Sequence, residues 1–235
     1  MSPLTTVLLM GLGRHGAHWL DFPVRLQTRL GTPVVTVDLA GTGVAGDVRL
    51  PCDVATIARE VLTRCPSGPL RLVGVSLGGM VALAAAASDP GRVRATVVIN
   101  TSSADVAAPW ARLRLLTVFV ARVGRPLDRE GALAQVLVTD PVAGEAAAVA
   151  WRQIAREMPV AVETVLRHTA AAARFRLPAP VAHVTVVVGR GDRLVDSRCS
   201  DAVAKRLGAP LVVHETAGHA LHVDAPDWLA DVIAS

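Results

Sequence analysis

Leu70-Arg71-Leu72-Val73-Gly74-Val75-Ser76-Leu77-Gly78-Gly79 passes from a strand pattern into a helix pattern with no loop between them. Leu70 to Val75 is continuously apolar except at Arg71, as expected of a strand covered on both faces of a parallel sheet. From Leu77 the residues suit a helix reaching about Ala87. Ser76 therefore stands at a sharp strand-to-helix turn. Gly74 and Gly78 flank it in a Gly-x-Ser-x-Gly frame, small enough to tolerate a strained serine whose hydroxyl points outward above a helix N-terminus. The competing use of a serine here is to cap the helix, and the frame alone does not choose between the two.

Five more strand patterns surround this one: Thr5 to Met10, Pro33 to Asp38, Ala95 to Asn100, His183 to Val188 and Leu211 to His214. Helical patterns run from about Ala17 to Leu30, Val54 to Arg64, Ser197 to Leu207 and Pro226 to Ile233. The alternation predicts an open, mostly parallel α/β sheet of about six strands with helices on both faces. About 80 residues separate Asn100 from His183, too many for a simple crossover. Helical patterns at Trp110 to Val123, Gly131 to Val138 and Ala146 to Met158, punctuated by Pro109, Pro126, Pro141 and Pro159, fill that interval. They predict a helical cap at residues 104–178 inserted into a core of residues 1–103 and 179–235.

With 235 residues, 51% hydrophobic and 19% charged, the chain can bury one large core, and disorder is not expected. The net charge is +4, Lys205 is the only lysine, and the arginines are scattered with no basic helix or zinc spacing, so no nucleic-acid partner is expected. The first ten residues lack the basic region of a signal peptide, and no apolar run reaches the roughly 18 residues that span a bilayer. Cys52, Cys65 and Cys199 form an odd set without metal-ligand spacing. They read as buried free thiols in a reducing compartment, which places the protein in the cytoplasm and away from membranes.

Two glycine clusters compete for the site. Gly11-Leu12-Gly13-Arg14-His15-Gly16 follows the first strand, and Asp38 closes the next one, as in a dinucleotide-binding fingerprint. Pro23 speaks against the long helix that this fingerprint needs. The cluster around Ser76 has partners instead. After the strand His183 to Val188 comes Gly189-Arg190-Gly191-Asp192, and after Leu211 to His214 comes Ala217-Gly218-His219. Both lie at C-terminal ends of strands, where open α/β sheets build their sites. In the order Ser76, Asp192, His219 they would supply nucleophile, orienting acid and general base for acyl transfer. Asp196 and His222 are the rivals; Asp196 better suits the start of the helix at Ser197, and His222 lies farther from its strand end. His15 and His18 read as loop or helix-surface histidines, while His168, His183 and His214 join no constellation. Asp38 reads as fixing the turn before Ala40-Gly41-Thr42-Gly43. Trp110, Phe119, Trp151 and Met158 read as cap packing.

Over nearly its whole length the chain resembles the α/β-hydrolase superfamily, in the order of strands and helices, the Ser76 elbow, the Gly-Arg-Gly-Asp loop and the Gly-His-x-x-x-x-Asp-x-Pro ending. Within it the chain looks most like small carboxylesterases, the group that includes pimeloyl-carrier methyl ester esterases. It departs from them at Met10-Gly11, where relatives commonly have His-Gly. The resemblance implies that the loop after the first strand donates the backbone N–H of Leu12 to an oxyanion, beside that of Leu77, and that Gly11 and Gly13 shape this loop. It implies a serine carboxylesterase acting through an acyl-enzyme on a small or medium apolar acyl ester or thioester, with no metal or organic cofactor. The apolar stripe Trp110, Leu113, Leu115, Leu116, Val118, Phe119 and Val120 would line an acyl tunnel, and Arg112, Arg114, Arg122, Arg125 and Arg129 would suit an acyl-carrier protein as partner. Fold and triad do not fix the reaction. A non-hydrolytic triad enzyme, such as a cofactor-free lyase or perhydrolase, is the alternative, ahead of an NAD(P)-binding protein or a ligand-binding module without turnover.

Overall fold

The computed structural model describes residues 3–46, 51–114, 128–179 and 181–235. At its centre lie six strands: β1 (Thr5–Leu9), β2 (Val34–Thr36), β3 (Leu70–Val75), β4 (Val93–Ile99), β5 (Val184–Gly189) and β6 (Leu211–His214). All pair in parallel, in the order β2-β1-β3-β4-β5-β6. Each expected strand is present to within two residues at either end. Parallel strands need crossovers, and α1 (Phe22–Leu30), α2 (Val54–Arg64) and α3 (Leu77–Ser88) supply the first three. Between β4 and β5 lie α4 (Pro109–Arg112), α5 (Arg129–Leu137), α6 (Pro141–Glu157) and α7 (Val162–Arg174). The chain closes with α8 (Arg198–Leu207), α9 (Leu221–Asp224) and α10 (Pro226–Ala234).

Successive strand residues face opposite sides, and both sides are buried. Val7, Leu9, Leu72, Val98 and Val186 pack toward α2, α3 and α8. Leu8, Val73, Val97, Ile99 and Val187 pack toward Phe22 and Leu26 of α1 and Leu229 and Ile233 of α10. Each fully buried side chain of this size contributes roughly 2 kcal/mol, which is why the strands read as continuous apolar runs. The chain leaves β1 toward β2 on one side and returns to β3 on the other. Strand order therefore reverses between β1 and β3, opening a crevice at their C-terminal ends.

Several expectations change. The helix expected over Ala17 to Leu30 is a 3-10 turn at Gly16–Trp19 followed by α1, with Leu20 at φ 54° between them. Pro23 explains the break: it lacks an N–H and fits only the first turn of a helix, which is where α1 places it. Helix α6 starts at Pro141, five residues before the pattern suggested, because Asp140 caps it by accepting from Ala143 N at 2.7 Å. Cys52 is exposed rather than buried, since it precedes the N-cap Asp53 of α2 and is clear of the sheet; Cys65 and Cys199 are buried.

In the pattern Trp110 to Val123 only α4 and the two residues after it are described; Leu115, Leu116, Val118, Phe119, Val120, Arg122 and Arg125 lie outside the described residues. Trp110, expected to pack, is 78% exposed, and Met158 is exposed too, because α4 is a single turn and Met158 is the C-cap of α6. Among the described residues no helix is long and apolar enough to cross a membrane.

Candidate active site

Val75 ends β3 and Leu77 begins α3, so Ser76 alone makes the turn. Its backbone sits at φ 55°, ψ −116°, a strained region for a residue with a Cβ. Its neighbours make that conformation possible by having no side chain. A Cβ on Gly74 would lie 2.2 Å from the Gly78 carbonyl oxygen, and one on Gly78 would lie 2.2 Å from that of Leu9. The Ser76 side chain makes no capping hydrogen bond to α3, so the capping use of this serine is not realised.

The loops after β5 and β6 bring Asp192 and His219 together. His219 Nδ1 donates to Asp192 Oδ2 at 2.6 Å. The other carboxylate oxygen accepts from Leu194 N at 2.8 Å and Val195 N at 2.9 Å, so the acid cannot rotate away. Both side chains are buried. With its proton on Nδ1, the imidazole leaves Nε2 as the basic nitrogen. Ser76 Oγ is not hydrogen-bonded to His219 in this conformation; such bonds are often loose before substrate binds.

A residue that sequence reasoning used only as a strand boundary joins these parts. Asn100, directly after β4 and 1% exposed, donates from Nδ2 to the carbonyls of Gly218 and His219, both at 3.0 Å, and accepts at Oδ1 from Gly189 N at 2.9 Å. Its neighbours hold the elbow: Ser76 N donates to Ile99 O at 2.8 Å, and Thr101 Oγ1 donates to Ser76 O at 2.9 Å. Three consecutive residues thus fix the nucleophile turn, the acid strand and the histidine loop to one another. Asp224 adds a second tie, accepting from Gly218 N at 2.7 Å and from Thr139 N at 3.0 Å.

The loop Gly11 to Arg14 runs beside Ser76; a Cβ on Gly11 would lie 3.4 Å from Ser76 Cβ. Gly13 takes φ 64°, and its N–H donates to His168 Nδ1 at 3.4 Å, while His168 Nε2 donates to Ala40 O at 2.9 Å. Arg14 pairs with Glu130 at 2.7 Å and stacks 4.5 Å over Trp151. The loop that bears Leu12 is therefore held by α5, α6 and α7 together. His168, which seemed to join no constellation, is one of these ties.

The rivals have other tasks. Asp196 accepts from Arg198 N at 3.0 Å and pairs with Arg198 and Arg114, whose guanidinium groups hold its carboxyl well below the usual range. His222 donates from Nε2 to His18 O at 3.1 Å and lies edge-on to Trp19; burial pushes its pKa down to about 4. His15 and His18, expected at the surface, are buried, because the 3-10 turn folds them inward and α6 covers them; burial and then Arg14 bring His18 to about 2. Asp38 accepts from Gly16 N at 2.6 Å and Val44 N at 2.8 Å, so its carboxylate ties two loops. Only a single 3-10 turn begins at Gly16, and α1 starts at Phe22, so the loop lacks the long helix N-terminus that a pyrophosphate needs, which removes the geometric basis of the dinucleotide reading. Two of the arginines assigned to a rim are spent internally: Arg112 on the carbonyls of Ala172 and Ala173, and Arg114 on Asp196.

Over residues 7–232 the sequence matches the alpha/beta hydrolase family. It is 33% identical over 220 residues to the pimeloyl-[acyl-carrier protein] methyl ester esterase of Methylococcus capsulatus, covering 88% of this chain and 84% of that protein. It is 26% identical over 216 residues to the pyrrolizixenacetamide deacetylase of Xenorhabdus hominickii, covering 83% and 76% respectively. Its fold is similar to that of a 2-hydroxy-6-oxo-6-phenylhexa-2,4-dienoate hydrolase from a Rhodococcus strain, with TM-score 0.72 and 22% identity over 97% of this chain and 88% of that one.

Proposed function

The chain belongs to the alpha/beta hydrolase family, and from that premise we propose that it is a serine carboxylesterase with Ser76 as nucleophile, His219 as general base and Asp192 as orienting acid. One observation carries the reading: the Asp192 carboxylate is locked by two backbone N–H groups and accepts from His219 Nδ1 at 2.6 Å, at the same sheet edge as the strained Ser76. That arrangement selects the imidazole tautomer that removes a hydroxyl proton.

In the first step Ser76 Oγ bonds to the ester carbonyl carbon while its proton passes to His219 Nε2. The carbonyl oxygen becomes an oxyanion, met by the N–H groups of Leu12 and Leu77, the latter at the positive end of α3. As the carbonyl re-forms, the bond to the leaving oxygen breaks and His219 returns the proton to it. Water repeats the sequence against the acyl-enzyme, losing a proton to His219 and releasing the acid, and Ser76 recovers its hydrogen.

The substrate we assign is a small or medium apolar acyl ester or thioester. Similarity to a pimeloyl-[acyl-carrier protein] methyl ester esterase supports an acyl-carrier protein as the bearer of the acyl group. Residues 104–178 serve in this reading as the cap that selects the acyl chain. Hydrolysis of nitrophenyl acetate, butyrate and hexanoate tests it: turnover should rise with chain length, each buried methylene adding up to about 0.8 kcal/mol, and should vanish in Ser76→Ala. Undiminished turnover in Ser76→Ala would overturn the reading.

A further inference from the structure

Arg71 is the one charged residue in the apolar run that leads to the elbow, and it has no place in the Ser76 site. It is the second residue of β3, so it lies toward the edge of the parallel sheet opposite Ser76, roughly 16 Å away at about 3.3 Å per residue. By alternation with Val73 and Val75 its side chain projects on the face that α1 and α10 cover. It is half-buried there, and among the described residues its guanidinium makes no hydrogen bond and no ion pair. Burial lowers its pKa, and no carboxylate is close enough to raise it. Thr6, its register partner on β1, has a buried hydroxyl that is itself without a partner, and Asp231 near the end of α10 is taken by Arg29 at 2.7 Å. An arginine withdrawn from water is normally paired.

Arg71 lines a cavity of about 530 Å³ at that edge. On the Arg71 face its wall is Ala95 and Val97 of β4, Thr185 of β5, and Val232 and Ile233 of α10. Ala95 stands beside Arg71 in register, and its small side chain leaves the space over the strands open. Among the described lining residues no side chain is Asp, Glu or Lys, so Arg71 is the permanent charge of a largely aliphatic cavity. We propose that this cavity is a binding site for a small apolar monocarboxylate, a fatty-acid anion of a few carbons, whose carboxylate pairs with Arg71 and whose chain lies on Ala95, Val97, Val232 and Ile233. A guanidinium meets a carboxylate through two parallel N–H···O bonds. One positive charge balances one negative, whereas inorganic phosphate, largely a dianion with no apolar part, would leave a charge unbalanced and the aliphatic wall uncovered. The site stands apart from Ser76 and does not depend on that serine being the nucleophile.

The test is thermal denaturation and calorimetric titration of the full chain with sodium hexanoate, hexanamide and inorganic phosphate, in the wild type, Arg71→Met and Ala95→Leu. A ligand that binds only the native state raises the melting temperature by mass action, so hexanoate should give a saturable rise in the wild type, and hexanamide and phosphate should not. Arg71→Met removes a half-buried, unpaired charge and keeps an unbranched side chain, so it should fold, and hexanoate binding should weaken about tenfold or more. Ala95→Leu keeps the guanidinium but fills the cavity beside it, and should weaken hexanoate binding by a similar factor. Either variant decides the case should the other fail to fold. Unchanged hexanoate binding in a folded variant would place the ligand elsewhere, the Ser76 cleft included, and would overturn the site, as would the lack of a saturable rise in the wild type. A rise with hexanamide equal to that with hexanoate would overturn the role of the charge. An Arg71-dependent rise that is larger with phosphate than with hexanoate would overturn the choice of a carboxylate.

Discussion

Replacing Asn100 by alanine removes the one side chain that bonds at once to the acid strand and to the histidine loop. Three buried hydrogen bonds of 2.9 to 3.0 Å are lost, and each is worth about 1 kcal/mol net. Asn100 also sits at φ 48°, where asparagine is tolerated better than alanine; that adds about 1 kcal/mol, for a total of about 4 kcal/mol. Asn100→Gly loses the same bonds but accepts the backbone conformation, so it should be about 1 kcal/mol more stable than Asn100→Ala. Urea unfolding with a common m-value measures all three proteins. Turnover should fall as well, through kcat more than KM, because the His219 loop loses its anchor and not its substrate contacts. A loss below about 1 kcal/mol for Asn100→Ala, or equal stability of the alanine and glycine variants, would refute this account of the clasp.

Gly78→Ala should fold poorly or melt far below the wild type in a thermal scan, because its Cβ would sit 2.2 Å from the Leu9 carbonyl oxygen, in contact with rigid strand backbone. Asp192→Asn should keep the fold and lose turnover by up to roughly 10⁴, whereas Asp196→Asn should retain most turnover, as steady-state kinetics would report. Burial lowers the folded pKa of His222 from 6.5 to about 4, so the unfolded chain takes up the extra proton. The contribution of His222 to stability is therefore full above about pH 6.5 and falls as the pH drops toward 4, by roughly 3 kcal/mol at most, beside that of His18, which is lowered further. His222→Phe should remove that share of the slope in urea titrations.

The sheet was legible because burial on both faces forces strands to read as apolar runs, and the elbow because Gly74 and Gly78 admit no other residue. The pairing of Asp192 with His219 was legible from strand ends, since loops after β5 and β6 must emerge at the same edge. Of helix α7 only the alanine-rich end, Ala170 to Ala173, reads as helical in the sequence, and its buried face shows why the rest does not. That face is Thr164, His168 and Ala171, while Val162 and Leu166 point to solvent, so the large apolar residues do not mark which face is buried. What holds α7 is hydrogen bonding: Thr164 Oγ1 donates to Gly41 O at 3.2 Å, and His168 bonds to Ala40 O and Gly13 N. Asn100 escaped for a related reason, since its partners lie 89 to 119 residues away in sequence. The burial of His15 and His18 follows from the break before Pro23, which a helix pattern running through it concealed.

The most direct test of the proposed site is reaction with a fluorophosphonate probe, followed by mass spectrometry of the labelled peptide. An activated serine attacks the phosphorus and expels fluoride at neutral pH, whereas an ordinary serine does not. The account predicts a single adduct on Ser76, absent in Ser76→Ala, lost in His219→Ala and retained in His222→Ala. An adduct on another residue, or labelling that persists in Ser76→Ala, would contradict it.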